Sequence, residues 1–448
     1  MTKLTQNPYI DKLNAINFEE LSKKHEFQRN SEHKITLCLF IKSYIDCIVN
    51  QLFSLQNWSN RLMFLLDATV TKQALQAKFY ERHFTAVSAV LNEVLKQDLQ
   101  ERGLKNVRNW SLFASFNRVL LQDSTCVPLH SSLAAHFPGT TSKGQITATA
   151  RIQSVYELKQ ETFLRFALQS YRDNDQKDSG SILDLLEAND MVLRDLGYFS
   201  LAIILKIMGK GAYFVMPYPS GTNIYKQDGT ILNLYKILVI NNLNSIDYNV
   251  FIGSGKKVPV RLVAMKLSEE AKQKKIANAK KTASSTTKHS AEYYELLGWA
   301  IYITNVSNET WTVRNIGFAY RVRWRIETIF KAWKSAFRLK DFVYDRKMCE
   351  YRCKIQLTII LIYFALIFKE VFAFFEIKTK EFYSHEAKFN RFIEVKELSL
   401  IKLANLIHTA ADIIFQQRDW EKLVPLIINA AKYEKRKDRH NFETFTYY

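Results

Sequence analysis

Three carboxylates stand where their neighbours could put them to chemical use. Asp123 closes the apolar run "VLLQD" and Asp195 closes "MVLRD". Glu327 lies inside "AYRVRWRIETIFKAWKSAFRLKDF" with Arg323, Arg325, Lys331 and Lys334 around it. On a helix, Arg323, Glu327, Lys331 and Lys334 fall on one face. Val322, Ile326, Ile329, Phe330, Trp333 and Phe337 then make an apolar face that can pack on a sheet. Taken alone, the charged face has an ordinary reading as i,i+4 ion pairs worth about 0.2–0.5 kcal/mol each. The two aspartates add another. Two carboxylates on adjacent strand ends and one on a later helix can hold two Mg2+ ions through oxygen ligands, with Mn2+ as a substitute. Such a pair clamps a phosphodiester, activating the attacking oxygen and stabilising the leaving one.

The segments around these acids predict the scaffold. Residues 1–110 carry apolar positions at spacings of three and four, as in "HKITLCLFIKSYIDCIVNQLFSL", and predict helices. Within them "DATVTKQALQAKFYERHF" predicts a basic, amide-bearing helix capped at Thr69 or Thr71, either a groove reader or an ordinary surface helix. Residues 111–216 change texture: "RVLLQDSTCV", "ARIQSVYEL" and "TFLRFALQS" predict three strands. "SILDLLEAND" then predicts a short helix, "MVLRDLGYF" a strand, "SLAIILKIMGKG" a helix stopped by glycine, and "AYFVMPYP" a fifth strand. That order is the one of an α/β, ribonuclease-H-like mixed sheet, with chemistry expected at the carboxyl ends of its strands. Residues 217–316 predict a β-rich insertion with a "DG" turn, 317–375 the second part of the catalytic core with the Glu327 helix, and 376–448 a helical region with a basic tail.

Bulk properties narrow the partners. The 448 residues are 47% hydrophobic and can fill real cores, while 63 Lys and Arg against 44 Asp and Glu leave a net charge of +19. Such a surface attracts polyanions, nucleic acid above all. Five cysteines (Cys38, Cys47, Cys126, Cys349 and Cys353) show no Cys-x-x-Cys pair, which argues against zinc knuckles and disulfides and fits a reducing cytoplasm. The longest apolar run, Leu357 to Phe368, has 12 residues and is expected to be a buried helix of a soluble protein rather than a membrane span. "GSGKK" lacks the earlier glycine and the strand-to-helix context of a phosphate loop, and "HEAKF" has Phe389 where a zinc-protease helix needs its second histidine.

Tyr320, Arg323, Glu327 and Lys334 match a Tyr-x2-Arg-x3-Glu-x6-Lys spacing at every position. With Asp123 in "LLQDST" and Asp195 in "RDLGYFS", the sequence resembles the DDE transposases of bacterial insertion sequences, in the hairpin-forming, cut-and-paste branch. "RLVAMKLSEEAKQKK" followed by "LLGWAIYITNV" is similar to the end of their β-rich insertion. The resemblance implies that Asp123, Asp195 and Glu327 ligate the two metal ions. It implies that Arg323 and Lys334 hold phosphates and that Tyr320 contacts the DNA backbone beside them; Lys331, on the same helix face, is expected to face the DNA with them on the charge pattern alone. Trp299, 21 residues before Tyr320, falls where relatives place an aromatic that stacks on a flipped base; a plain core tryptophan is the alternative. The implied partners are double-stranded DNA, as transposon ends and as target, and a second copy of the chain in a synaptic complex near the bacterial nucleoid. After the fifth strand relatives often carry basic residues, whereas this chain reads "VMPYPSG", which leaves one DNA contact without a counterpart. A non-mobile nuclease on the same fold, and a transposase-derived DNA-binding protein that no longer cuts, are the rival functions.

Overall fold

The computed structural model describes residues 12–28, 35–100, 110–142, 144–255, 257–282, 289–389, 398–411, 414 and 420–432. The chain forms two compact units. Of the described residues, one gathers those within 1–109, 124–173 and 325–432, and the other those within 110–123 and 174–324.

The strands among the described residues are β1 (Val119–Leu129), β2 (Pro138–Ser142), β3 (Gln145–Glu157), β4 (Thr162–Ser170) and β5 (Met191–Arg194). They continue with β6 (Tyr213–Pro217), β7 (Ile224–Tyr225), β8 (Ser245–Ile252), β9 (Val258–Lys266) and β10 (Trp299–Thr304). In the second unit β5 lies between β1 and β6 and is parallel to both, with Leu121 opposite Leu193 and Leu193 opposite Val215. A parallel strand covered on both faces should be apolar throughout, and Met191, Val192 and Leu193 are fully buried. The helix Leu201–Gly209 connects β5 to β6 and stops where Gly211 takes φ +70°. The β-rich segment does not stand apart from this sheet. β10 pairs antiparallel with β6 on one side and β9 on the other, and β8 and β7 follow outward. The "DG" turn forms, with Gly229 at φ +83° and Lys226 N–H donating to Thr230 O, and Gly253–Gly255 of "GSGKK" follow the end of β8, outside any helix.

One local expectation fails here. "SILDLLEAND" holds only a single 3-10 turn, Leu183–Leu185, rather than a helix. Asp190 is the reason: its carboxylate accepts the Glu187 N–H at 2.8 Å and the Arg118 Nε–H at 2.9 Å, and Asn189 turns the chain at φ +65°.

In the first unit β3 pairs antiparallel with β4, from Ala150 opposite Ser170 to Glu157 opposite Thr162, and with β2 near its start. β2 was not legible in the sequence. Its Gly139 is needed because a Cβ there would come 2.5 Å from Thr147 Oγ1. The run Leu357 to Phe368 belongs to a longer helical stretch than its length suggests, Glu350–Ser384, with mean hydropathy 2.2 over its most apolar window. By length and composition that stretch could cross a membrane, yet 83% of the window is buried within the protein's own core. It packs on the helix Glu81–Gln100 and on β4. The segment 67–84 is not one helix. Thr71 caps a helix of five residues, Lys72–Gln76, and Lys78 is then buried with its ammonium donating to Phe27 O at 3.3 Å. The chain turns there to bury Phe79, and Arg82 sits on the next helix. The basic run beyond Lys432 lies outside the described residues.

Candidate active site

The register of β1 and β5 sets Gln122 opposite Arg194; Asp195 then follows one residue past the end of β5, while Asp123, expected to close its strand, lies inside β1, which continues to Leu129. Side chains alternate across a strand, and the layer beneath the aspartates is polar and buried. Arg194, 1% exposed, donates to Gln122 Oε1 and to Ser179 O, both at 2.6 Å. Burial lowers its pKa to about 10, which leaves it charged at neutral pH. Sequence reasoning missed this support. The signal for it was present: a glutamine and an arginine each directly before an acid, inside apolar strands.

A helix brings two more side chains to the same place. Val313–Val322 starts with a capping box between Thr312 and Asn315 and buries Ile316, Ala319 and Val322. Gly317 lets it approach Met265 of β9, since a Cβ would lie 2.3 Å from that side chain's end. On the last turn the Tyr320 hydroxyl donates to Asp195 Oδ1 at 3.3 Å. One residue past the helix, Arg323 Nη1 donates to Asp123 Oδ2 at 2.7 Å. The Arg323 and Asp123 side chains are only 7% and 13% exposed. The Arg323 guanidinium also lies 5.4 Å from the Tyr320 ring centre, and the Tyr302 ring packs on Tyr320 at 4.9 Å. Burial, with Asp195 beside it, raises the Tyr320 hydroxyl well above the ordinary phenol range despite the opposing pull of Arg323. It is a neutral hydrogen-bond donor.

The expected single helix through Tyr320 and Lys334 is broken at Arg323. Its N–H bonds back only three residues, to Tyr320 O at 3.1 Å, and a second helix, Trp324–Ser335, begins at the next residue. Glu327, in that helix's first turn, is half-buried; Lys331 and Lys334 are exposed further along it. The predicted apolar face is buried at Val322, Ile326, Ile329, Phe330, Trp333 and Phe337. Trp333 stacks on Phe364 at 4.8 Å and lies 5.4 Å from Phe163 of β4. Arg325, read from sequence as one of the cations around Glu327, turns inward and binds Glu161 and Glu376.

Trp299 opens β10 and is 6% exposed. Its indole N–H donates to Leu243 O at 3.4 Å, and the Lys266 ammonium lies 5.8 Å from its ring centre. Trp324, beside Arg323, is 52% exposed.

The donors at Asp123, Asp195 and Glu327 are carboxylate oxygens alone, a set that suits a hard divalent cation. Among the described residues no three His, Cys, Asp or Glu side chains are gathered closely enough to hold a metal ion. The two aspartates are instead engaged by Arg323 and Tyr320.

Residues 114–367, more than half of the chain, match the family described as Transposase DDE domain. The chain belongs to the DDE transposase family. The transposase for insertion sequence element IS231F of Bacillus thuringiensis subsp. israelensis is 26% identical to it over 345 residues, which cover 71% of this chain and 70% of that protein. The transposase for insertion sequence element IS1151 of Clostridium perfringens is 26% identical over 310 residues, 64% of each. Among solved structures, a piggyBac transposase in a synaptic complex with hairpin DNA aligns with a TM-score of 0.39 and 11% identity, over 95% of this chain and 84% of that one. This transposase thus shares its DDE domain with those of bacterial insertion sequences.

Proposed function

We propose that this transposase binds the terminal inverted repeats of an insertion sequence, cuts the DNA there and joins the freed 3′ ends to a target. One observation carries the reading: Asp123 in β1 and Asp195 just past β5 each follow the paired Gln122 and Arg194, and each is met by a residue of the Tyr-x2-Arg signature. The order of β4, β3 and β1 in one unit and of β1, β5 and β6 in the other supports a ribonuclease-H-like core. Residues 1–110 would bind the ends, 217–316 would be the insertion, and the exposed Lys331 and Lys334 would meet phosphates.

Asp123, Asp195 and Glu327 would hold two divalent ions, Mg2+ or Mn2+. When bound, such ions activate the attacking oxygen and relieve the charge on the leaving one. The protein's own part is placement. The packed face of the Glu327 helix holds that acid in position, and the buried Arg194–Gln122 layer keeps β1 and β5 in register beneath the aspartates. Arg323 and Lys334 would grip the backbone on either side of the scissile phosphate. Cleavage would pass through a hairpin, with the 3′ hydroxyl attacking the opposite strand, water reopening the hairpin, and the 3′ hydroxyl then attacking the target. Two copies of the chain would pair two ends. No covalent bond to protein is needed, so no Ser, Cys or Tyr acts as a nucleophile.

The test is cleavage of a labelled end. Asp123→Ala, Asp195→Ala and Glu327→Ala should each abolish cutting and leave end binding largely intact, since transition-state charge stabilisation is lost while phosphate contacts remain. Near-normal cutting in Mg2+ by any of the three takes that residue out of the site. Strand-transfer products on a supercoiled target separate a transposase from a nuclease that cuts without joining.

A further inference from the structure

We propose that Arg323 and Tyr320 are a latch that keeps the two aspartates from a divalent cation until a DNA phosphate draws Arg323 away. The proposal rests on the reading of Asp123 and Asp195 as metal ligands. Four side chains of one unit carry it: the Arg323–Asp123 ion pair at 2.7 Å and the Tyr320–Asp195 hydrogen bond at 3.3 Å, both made from one helix end.

Arg323 neutralises Asp123 where the cation would have to sit, and at 7% side-chain exposure it has little water to turn to. A cation approaching Asp123 meets a fixed guanidinium, and the carboxylate cannot serve both at full strength. Arg323 leaves only if another anion offers an equal partner, and a phosphodiester does so through the same N–H donors. Tyr320 adds a second, uncharged restraint through the hydrogen bond its hydroxyl donates to Asp195. Binding of cation and of DNA then become coupled. Each strengthens the other by the same factor, as linkage requires. The consequence is a protein that is poorly loaded with metal while it is away from DNA.

The experiment titrates Mn2+ alone into the full chain by calorimetry, without DNA and then with a short duplex, for wild type, Tyr320→Phe and Arg323→Gln. Without DNA both variants should bind Mn2+ more tightly than wild type, on the order of tenfold for Arg323→Gln. Tyr320→Phe changes no charge and keeps the ring that packs on Tyr302, so its gain cannot come from removing a nearby cation. The duplex should tighten Mn2+ binding to wild type and leave Arg323→Gln nearly unmoved. Equal Mn2+ affinity of wild type and both variants without DNA overturns the latch. So does a duplex that tightens Arg323→Gln as much as wild type, which is plain attraction of Mn2+ to phosphate. Asp123→Asn separates the two levels. If it weakens Mn2+ binding in every background while the latch effects are missing, the latch alone is wrong. If it leaves Mn2+ binding unchanged, the metal site itself is misassigned and the latch falls with it.

Discussion

Replacing Arg325 with methionine removes a single guanidinium from between two buried glutamates. Arg325 Nη2 donates to both carboxylate oxygens of Glu161 at 3.1 Å and to Glu376 Oε1 at 2.9 Å. The two glutamate side chains are 3% and 4% exposed. Burial by itself would lower the Arg325 pKa, but Glu161 and Glu376 outweigh it and hold it well above its ordinary value. A cation whose folded pKa is raised gives its stability below the unfolded pKa and loses it only above, so this contribution is constant at any pH near neutral. Methionine fills much of the arginine stem's volume, and the loss is therefore mostly one of charge. Breaking a buried ion pair from one side costs about 3–5 kcal/mol, a large share of the roughly 5–15 kcal/mol that holds a domain together. Urea denaturation followed by circular dichroism, with the two units' transitions fitted separately, reads that cost as a fall in midpoint at constant slope. The triple variant Arg325→Met, Glu161→Gln, Glu376→Gln leaves no bare charge and should recover most of the loss. A single-variant loss under about 1 kcal/mol, or a triple variant no better than the single, would falsify the claim that Arg325 neutralises these carboxylates.

Three further outcomes are expected. Arg323→Ala and Lys334→Ala should each weaken binding to end DNA and reduce the salt dependence by about one unit of slope; an unchanged slope in filter binding means that residue does not meet a phosphate. Trp299→Ala, at a site 6% exposed, should lower melting temperature by an amount equivalent to about 3–5 kcal/mol and slow nicking and hairpin formation alike. A loss confined to the hairpin step in a strand time course, with melting preserved and partial rescue by Trp299→Phe, would instead give Trp299 the base-stacking role. Burial, with Arg82 adding to it, lowers Lys78 to about 8 from the ordinary 10.5. The unfolded chain then holds more protons across that window, so stability should rise with pH from about 8 to 10.5; Lys78→Met should show less of this rise in parallel melts, and an identical pH profile rules the penalty out.

The parts of the site that sequence could show were those marked by local pattern. A short apolar run ending in an acid reads as a strand end, which holds for Asp195, one residue past β5, but not for Asp123, because β1 runs on through "STCVPL" to Leu129. The helix face with Ile326, Ile329, Phe330 and Trp333 was legible for the same reason, a period that persists over several turns. What escaped depended on distant partners. Arg325 looks like Arg323 in one dimension, and only Glu161 and Glu376, 164 and 51 residues away, turn one inward. The break at Arg323 has no proline or glycine to announce it, since "YRVRWRIE" contains no strong helix breaker.

The first unit is assembled from three separate stretches of chain, and its helix Glu81–Gln100, with β4 and the helices Phe18–Lys24 and Leu37–Val49 as further neighbours, packs most extensively on Glu350–Ile367. On the ribosome these are far apart in time. More than two hundred residues must be added between the end of the one and the start of the other, which takes about 12–50 s at roughly 5–20 residues per second. The described residues of the second unit are all synthesised by Trp324, and it can close while the first waits. Through that interval Ala86, Val87, Val90, Leu91, Val94 and Leu95, all destined for the interior, have no partner from the C-terminal third of the chain. A nascent chain of this design needs a chaperone, or slow synthesis of few copies, to reach its folded state before it aggregates.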